Sequence, residues 1–106
     1  MRTVFLDLET TGLDPRTDEI VEIGILDEDG QILLDTLVRP VRHRSWPGAQ
    51  RVHGITPADV HHAPTHEELR PRIIEAVSDA LVVIYNAYNR LVTVTNRQGS
   101  VSTAIS

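Results

Sequence analysis

Asp7 and Glu9 lie two residues apart in the stretch VFLDLETTGL, Val4 to Leu13, whose apolar residues otherwise mark a strand entering a core. On a strand, residues two apart point the same way, so Phe5, Asp7 and Glu9 share one face while Leu6 and Leu8 share the other. Two carboxylates on one face repel each other unless something cationic sits between them. A hard divalent ion, Mg²⁺ or Mn²⁺, answers that need economically, because it prefers oxygen ligands and takes few protein carboxylates. Two such ions about 3.5–4 Å apart clamp the attacking and leaving oxygens of a phosphodiester. A D-x-E pair on its own is more often an exposed, solvated strand end, so the rest of the chain has to decide.

The elements that must position the pair follow from patterning. Thr3 to Leu8 reads as a buried strand, and TTGLDPRTD, with Gly12 and Asp14-Pro15, as a loop. Ile20 to Leu26 and Ile32 to Val38 read as the arms of a hairpin around Asp29-Gly30. Val21, Ile23 and Ile25 fall on one face of the first arm, Glu22 and Gly24 on the other. RPVRHRSWPGAQRVHG, punctuated by Pro40, Pro47, Gly48 and Gly54, reads as a long connection. Thr56, Pro57 and Asp59 carry a helix-start pattern, and Thr65 with Glu68 a stronger one. From there Leu69, Ile73, Val77 and Leu81 recur every four residues, with Ile74 and Ala80 widening the stripe and Pro71 inside it. ALVVIYN closes with another short buried strand. Three strands, a helix and a strand predict a mixed α/β fold. Leu91 to Thr95 is a further strand candidate, while the segment from Gln98 onward has the texture of a frayed end.

The chain has 106 residues, one domain's worth, and 41% hydrophobic residues, enough for a core. Its net charge of −5 argues against a strongly basic nucleic-acid-binding surface. The charge is uneven: an acidic stretch from Met1 to Val38 is followed by an arginine-rich one from Arg39 to Arg72. That order suits a metal site beside a phosphate chain, and equally two solvated faces of opposite sign. There is no cysteine, which excludes disulfides and thiolate metal sites. No stretch has the form of a signal peptide or the length of a membrane span, so the default expectation is a soluble cytoplasmic protein with no membrane partner.

FLDLETTGL, then EIVEIG, VHGIT and IYNA, in that order between Arg2 and about Asn89, resembles the DEDD family of 3′–5′ exonucleases. Within that family the similarity is to the proofreading epsilon subunits of bacterial DNA polymerase III and their stand-alone relatives. The resemblance implies a ribonuclease-H-like fold, a mixed sheet with flanking helices. It also implies hydrolysis of DNA or RNA from a single-stranded 3′ end with two Mg²⁺ or Mn²⁺ ions. Carried over by position, Asp7 bridges both metals and Glu9 binds the one that holds the attacking water. Thr10, Thr11, Gly12 and Leu13 lie under the terminal nucleotide, Leu13 either wedging against a base or packing in the core. His53 contacts the substrate's 3′ end with Ile55 beside it, and Asn86 belongs to the second substrate-binding motif. Arg42, Arg44 and Arg51 either touch phosphate or solubilise their loop. His43, His61, His62 and His66 read as surface residues.

The sequence also departs from the family pattern. The second motif, N-A-x-x-D, would put its acid where Arg90 stands, and Asn89, one place early, is the nearest candidate replacement. No H-x-x-x-x-D third motif follows. The resemblance therefore implies a C-terminally incomplete exonuclease-like domain over residues 1–90 with a divergent tail over 91–106. Three explanations follow: a chain cut short, a site completed by another chain such as a polymerase partner or a second copy, or a non-catalytic module binding nucleic acid or protein. Without the third-motif elements, part of the core surface is expected to be exposed and apolar, favouring self-association.

Overall fold

A computed structural model describes residues 1–85 and, beyond them, the backbone of two strands, 91–95 and 101–102. The strands are β1 (Arg2–Thr10), β2 (Ile20–Asp27), β3 (Ile32–Leu37), β4 (Ala80–Tyr85), β5 (Leu91–Thr95) and β6 (Val101–Ser102). The helices α1 (Pro47–His53) and α2 (His66–Val77) both lie between β3 and β4. One sheet runs in the order β3-β2-β1-β4-β5-β6, with β1 and β4 parallel and every other pair antiparallel. A parallel pair needs a long crossover, which the α1–α2 segment supplies.

The hairpin forms where its turn chemistry lies. The Asp27 carboxylate accepts the backbone N–H groups of Asp29 and Gln31, and Gly30 takes φ 81°, a left-handed conformation natural to glycine. Alternation then sends Val4, Leu6, Ile23, Ile25 and Leu34 to one face, where they bury against Leu69 of α2 with Ile73, Ala76 and Val77 around it. A second small core gathers Val21, Trp46 and Val60. The Arg2 guanidinium donates to the carbonyls of Ala76 and Ser78, placing positive charge at the C-terminal end of α2 and tying it to the start of β1.

Three features differ from the sequence expectation. The long connection contains α1, a seven-residue helix without a buried residue of its own. Pro47 sits in its first turn, where a missing N–H costs nothing, and Gly54 ends it in a left-handed conformation. Buried Trp46 anchors the segment, its indole N–H donating to the Ile55 carbonyl at 2.8 Å. The start pattern at Thr56 does form its reciprocal bonds with Asp59, yet only isolated turns follow before Pro64. A helix nucleus there has too few residues to propagate.

In α2 the Thr65–Glu68 capping box is complete, but the stripe ends at Val77. Ser78 and Asp79, the latter at φ 55°, turn the chain so that Leu81 belongs to β4. Ile74 is 54% exposed rather than part of the stripe. Five residues from Leu69 on a helix is a rotation of about 140°, which carries it to the solvent side. The opposite sheet face, bearing Phe5, Asp7, Gly24 and Leu26, stands open, with Ile32 at its margin 67% exposed. Phe5 and Leu26 are thus exposed apolar side chains on this face.

Replacing Leu69 by Ala should cost about 2–5 kcal/mol in denaturant unfolding, whereas Ile74→Ala should change stability by no more than about 0.5 kcal/mol. Equal losses would mean that α2 packs by a different face.

Candidate functional site

Asp7 sits on the central strand, paired with Gly24 of β2 and Tyr85 of β4. Gly24 is in turn paired with Asp35 of β3, so Asp35, Gly24, Asp7 and Tyr85 form one row across the open face. A groove of about 530 Å³ runs over this row, lined by Phe5, Asp7, Gly24, Leu26, Asp35 and Tyr85. Glu9 lies opposite Glu22 in the next row along β1. Burial pushes the Glu9 carboxyl above its ordinary pKa and the Asp7 charge pushes it further, while His53 acts in the opposite direction. Glu22 is raised likewise, by burial first and then by Asp35 and Asp7.

One oxygen of Glu9, Oε2, is buried without a hydrogen-bond partner among the described residues. A buried carboxylate oxygen left unmatched beside a second carboxylate is costly, and a cation supplies what is missing. The donor chemistry of Asp7 and Glu9 thus fits a hard divalent ion. Among the described residues no group of three or more His, Asp or Glu side chains is arranged to hold an ion, so the described part of the site is a two-carboxylate one.

The turn after β1 is built by its own side chains. The Thr10 hydroxyl donates to the Gly12 carbonyl. Thr11, 8% exposed, donates its N–H to the Glu19 carbonyl and its hydroxyl to Asp18 Oδ1, and accepts the Glu19 N–H. Asp18 Oδ2 accepts the Asp14 N–H at 3.0 Å. A Cβ on Gly12 would lie 2.5 Å from that same Oδ2, so Asp18 is the physical reason for glycine at position 12. Leu13 is 62% exposed, which rules out the core-packing reading and leaves an apolar side chain at the rim of the turn.

His53 reaches the same end of β1. Its Nδ1 accepts the Ile55 N–H at 3.0 Å, so Nε2 carries the ring proton and donates to the Thr10 carbonyl at 3.0 Å. The ring thereby pins the end of α1 beside Glu9. Asp7, Glu9, Thr10, Thr11, Gly12 and Leu13 follow one another along β1 and its turn, and His53, at the end of α1, is bonded to Thr10. Asn86, Asn89 and Arg90 lie outside the described residues.

His43 is a correction: it is half-buried, not a surface residue. Its Nδ1 lies 2.8 Å from Glu19 Oε1 and its Nε2 3.4 Å from Asp18 Oδ1. Glu19 also accepts the backbone N–H groups of Val41, Arg42 and His43. Burial alone would raise the Glu19 pKa, but the bond from His43 and the three backbone N–H groups outweigh it and hold the carboxyl down at about 2. Sequence reasoning missed Asp18, Glu19 and His43 because the contacts that join them, between 18–19 and 41–43, are distant in the chain. The only local signal is two acids directly before a strand. His61, His62 and His66 are exposed, as expected.

A mixed sheet with a parallel β1–β4 pair, an antiparallel β1–β2–β3 arm and acids on the central strand defines the ribonuclease-H-like exonuclease fold. A full-length 3′-exonuclease crystal structure superposes with a TM-score of 0.56 over 80% of this chain and 33% of that one, at 19% identity, which supports the fold. The chain belongs to the exonuclease family of RNase T type, whose profile matches residues 4–101. The match therefore runs past Asn89 into β6.

Among its relatives, DNA polymerase III PolC-type of Thermotoga maritima is 38% identical over 79% of this chain. An uncharacterised exonuclease of Escherichia phage 186 is 40% identical over 79%, and DNA polymerase III subunit epsilon of Rickettsia felis 34% identical over 82%. The chain spans 6%, 42% and 40% of their respective lengths. No helix among the described residues is long and apolar enough to cross a membrane.

Two predictions follow from the charges. In chelator at neutral pH, Asp7→Asn and Glu9→Gln should each melt above the wild type, by about 4 °C for each kcal/mol of relieved repulsion. Because the folded pKa of Glu9 lies above its ordinary 4.5, its penalty builds as pH rises from there and is absent below. Added Mn²⁺ should then raise the melting temperature of the wild type alone; equal shifts in the variants would remove Asp7 and Glu9 as ligands. Glu19 has the opposite sign. Its stabilisation is present above pH 4.5 and is lost as pH falls towards about 2, so the gap in melting temperature between wild type and Glu19→Gln should close over that window.

Proposed function

We propose that this chain carries the metal-binding and 3′-end-binding part of a 3′–5′ exonuclease, acting on single-stranded DNA or RNA and releasing 5′-nucleotides. The observation that carries the reading is the buried Oε2 of Glu9, without a partner among the described residues, beside Asp7 on the central strand of an exonuclease-family fold. Asp7 and Glu9 are the residues that would hold Mg²⁺ or Mn²⁺. Bound there, the ion supplies Lewis-acid polarisation and neutralises charge developing on the phosphodiester.

The chain's own residues bind and orient. The Thr10–Leu13 turn offers the terminal nucleotide a preformed backbone, with exposed Leu13 as an apolar surface for a base. His53 fixes the Thr10 carbonyl; with both ring nitrogens bonded to backbone groups it acts here as a support rather than a proton acceptor. Arg42, Arg44 and Arg51 give the nucleic acid's phosphates a counter-charge.

A second reading has its own support. Only two carboxylates of the described part fit an ion, and the open face bearing Phe5 and Leu26 is suited to another chain. In that reading the chain binds nucleic acid or protein without cleavage, or a polymerase partner or second copy completes the site.

The test is release of nucleotides from 5′-labelled single-stranded DNA and RNA in Mn²⁺, beside Asp7→Ala. A ladder shortening from the 3′ end, lost in the variant, is the expected outcome. Folded, metal-stabilised protein that leaves both oligonucleotides intact would favour the binding module.

A further inference from the structure

Asp18 and Glu19 are neighbours whose side chains serve different partners. Asp18 holds the turn: it accepts from the Thr11 hydroxyl and the Asp14 N–H, and its carboxylate lies against Gly12. Glu19 holds the loop after β3 through three consecutive backbone N–H groups, Val41 to His43. The His43 ring closes the circuit, with one nitrogen facing each carboxylate. Two segments more than twenty residues apart in sequence are thus joined by the Glu19 carboxylate and the imidazole together. All three side chains are mostly shielded from water, the most open being His43 at 28%.

Such shielding strengthens charge-assisted bonds and reduces their screening by salt. Thr11 is fixed through both backbone and side chain, its N–H by the Glu19 carbonyl and its hydroxyl by Asp18 and the Glu19 N–H. Thr11 is two residues from Glu9, so whatever fixes this turn also fixes the chain direction as it leaves the carboxylate pair.

We propose that Asp18, Glu19 and His43 are positioning residues, a clamp that sets the Thr10–Leu13 turn in advance for the 3′-terminal nucleotide. This rests on reading that turn as the nucleotide's platform, as above. Preorganisation of this kind acts on binding, because the ordering is complete before the ligand arrives. Asp18→Asn removes one acceptor: the Thr11 hydroxyl and the Asp14 N–H bond different oxygens of Asp18, and in the amide one of those positions becomes an NH2 donor. His43→Gln keeps one bond and breaks the circuit.

Two readouts test the proposal on the full chain. Amide hydrogen exchange should quicken at Thr11 and Asp14 in His43→Gln, although His43 bonds to neither amide, while Ile23 and Ile25 in β2 stay protected. Unchanged exchange at Thr11 and Asp14 would overturn the clamp. For a 5′-labelled single-stranded oligonucleotide in Mn²⁺, Asp18→Asn should raise Kd and KM about tenfold, the worth of one charge-assisted bond, with kcat per folded molecule nearly unchanged. A lowered melting temperature with Kd and KM unaltered would make the three residues structural only. If Asp18→Asn does not fold, His43→Gln carries the same measurement with a smaller expected rise, about threefold. Wild-type protein that neither binds nor shortens the oligonucleotide overturns the functional reading and the ligand half of this proposal, and exchange alone then judges the clamp.

Discussion

Two carboxylates held on one face of a central strand repel each other, and much of the surrounding architecture keeps them there nonetheless. At the roughly 7 Å between alternate strand residues, an effective dielectric near 20 gives a repulsion of about 2–3 kcal/mol. β1 bears it because its other face contributes Val4 and Leu6 to the core, and because it is hydrogen-bonded on both edges, to β2 and β4. Glu22 and Asp35 on neighbouring strands add negative charge to the same face. A fold selected only for stability would place none of them so. The arrangement is intelligible if positive charge completes it.

Much of this was legible in the sequence because it is local. The period of two in β1 and β2, the turn at Asp29-Gly30 and the capping box at Thr65 depend on residues within a few positions of one another. The same holds for Asp7 and Glu9, whose shared face follows from strand geometry alone. α1 was not legible: seven residues with no buried side chain carry no apolar period, and its bracketing by Pro47 and Gly54 resembles loop punctuation. Ile74 was misassigned because hydrophobicity alone gave it to the stripe, whereas the rotation from Leu69 takes it away. The Thr56 box shows that a start signal without a following apolar face yields a turn and no more.

The His43 contacts were illegible for a different reason. Asp18 and Glu19 looked like two more charges in an acidic stretch, and His43 like one of several loop histidines. Only the fold brings them within bonding distance. The same is true of His53, whose motif pointed to the right end of β1 but not to the backbone bonds that occupy both ring nitrogens. Motifs pointed to a candidate site; only the tertiary contacts show what each of its side chains bonds to.

The approach of Asp18 to Gly12 also bears on how this loop can evolve. Any side chain at position 12 must first find a smaller or displaced residue at 18, since a Cβ would meet Oδ2 at 2.5 Å. Yet a smaller residue at 18 gives up the bonds to Thr11 and Asp14 before position 12 gains anything. Each single step is disfavoured on its own, so the two sites are locked to one another by epistasis. Drift in this part of the chain is pushed to its outer positions, Pro15 to Thr17, whose side chains are exposed and make no comparable demand.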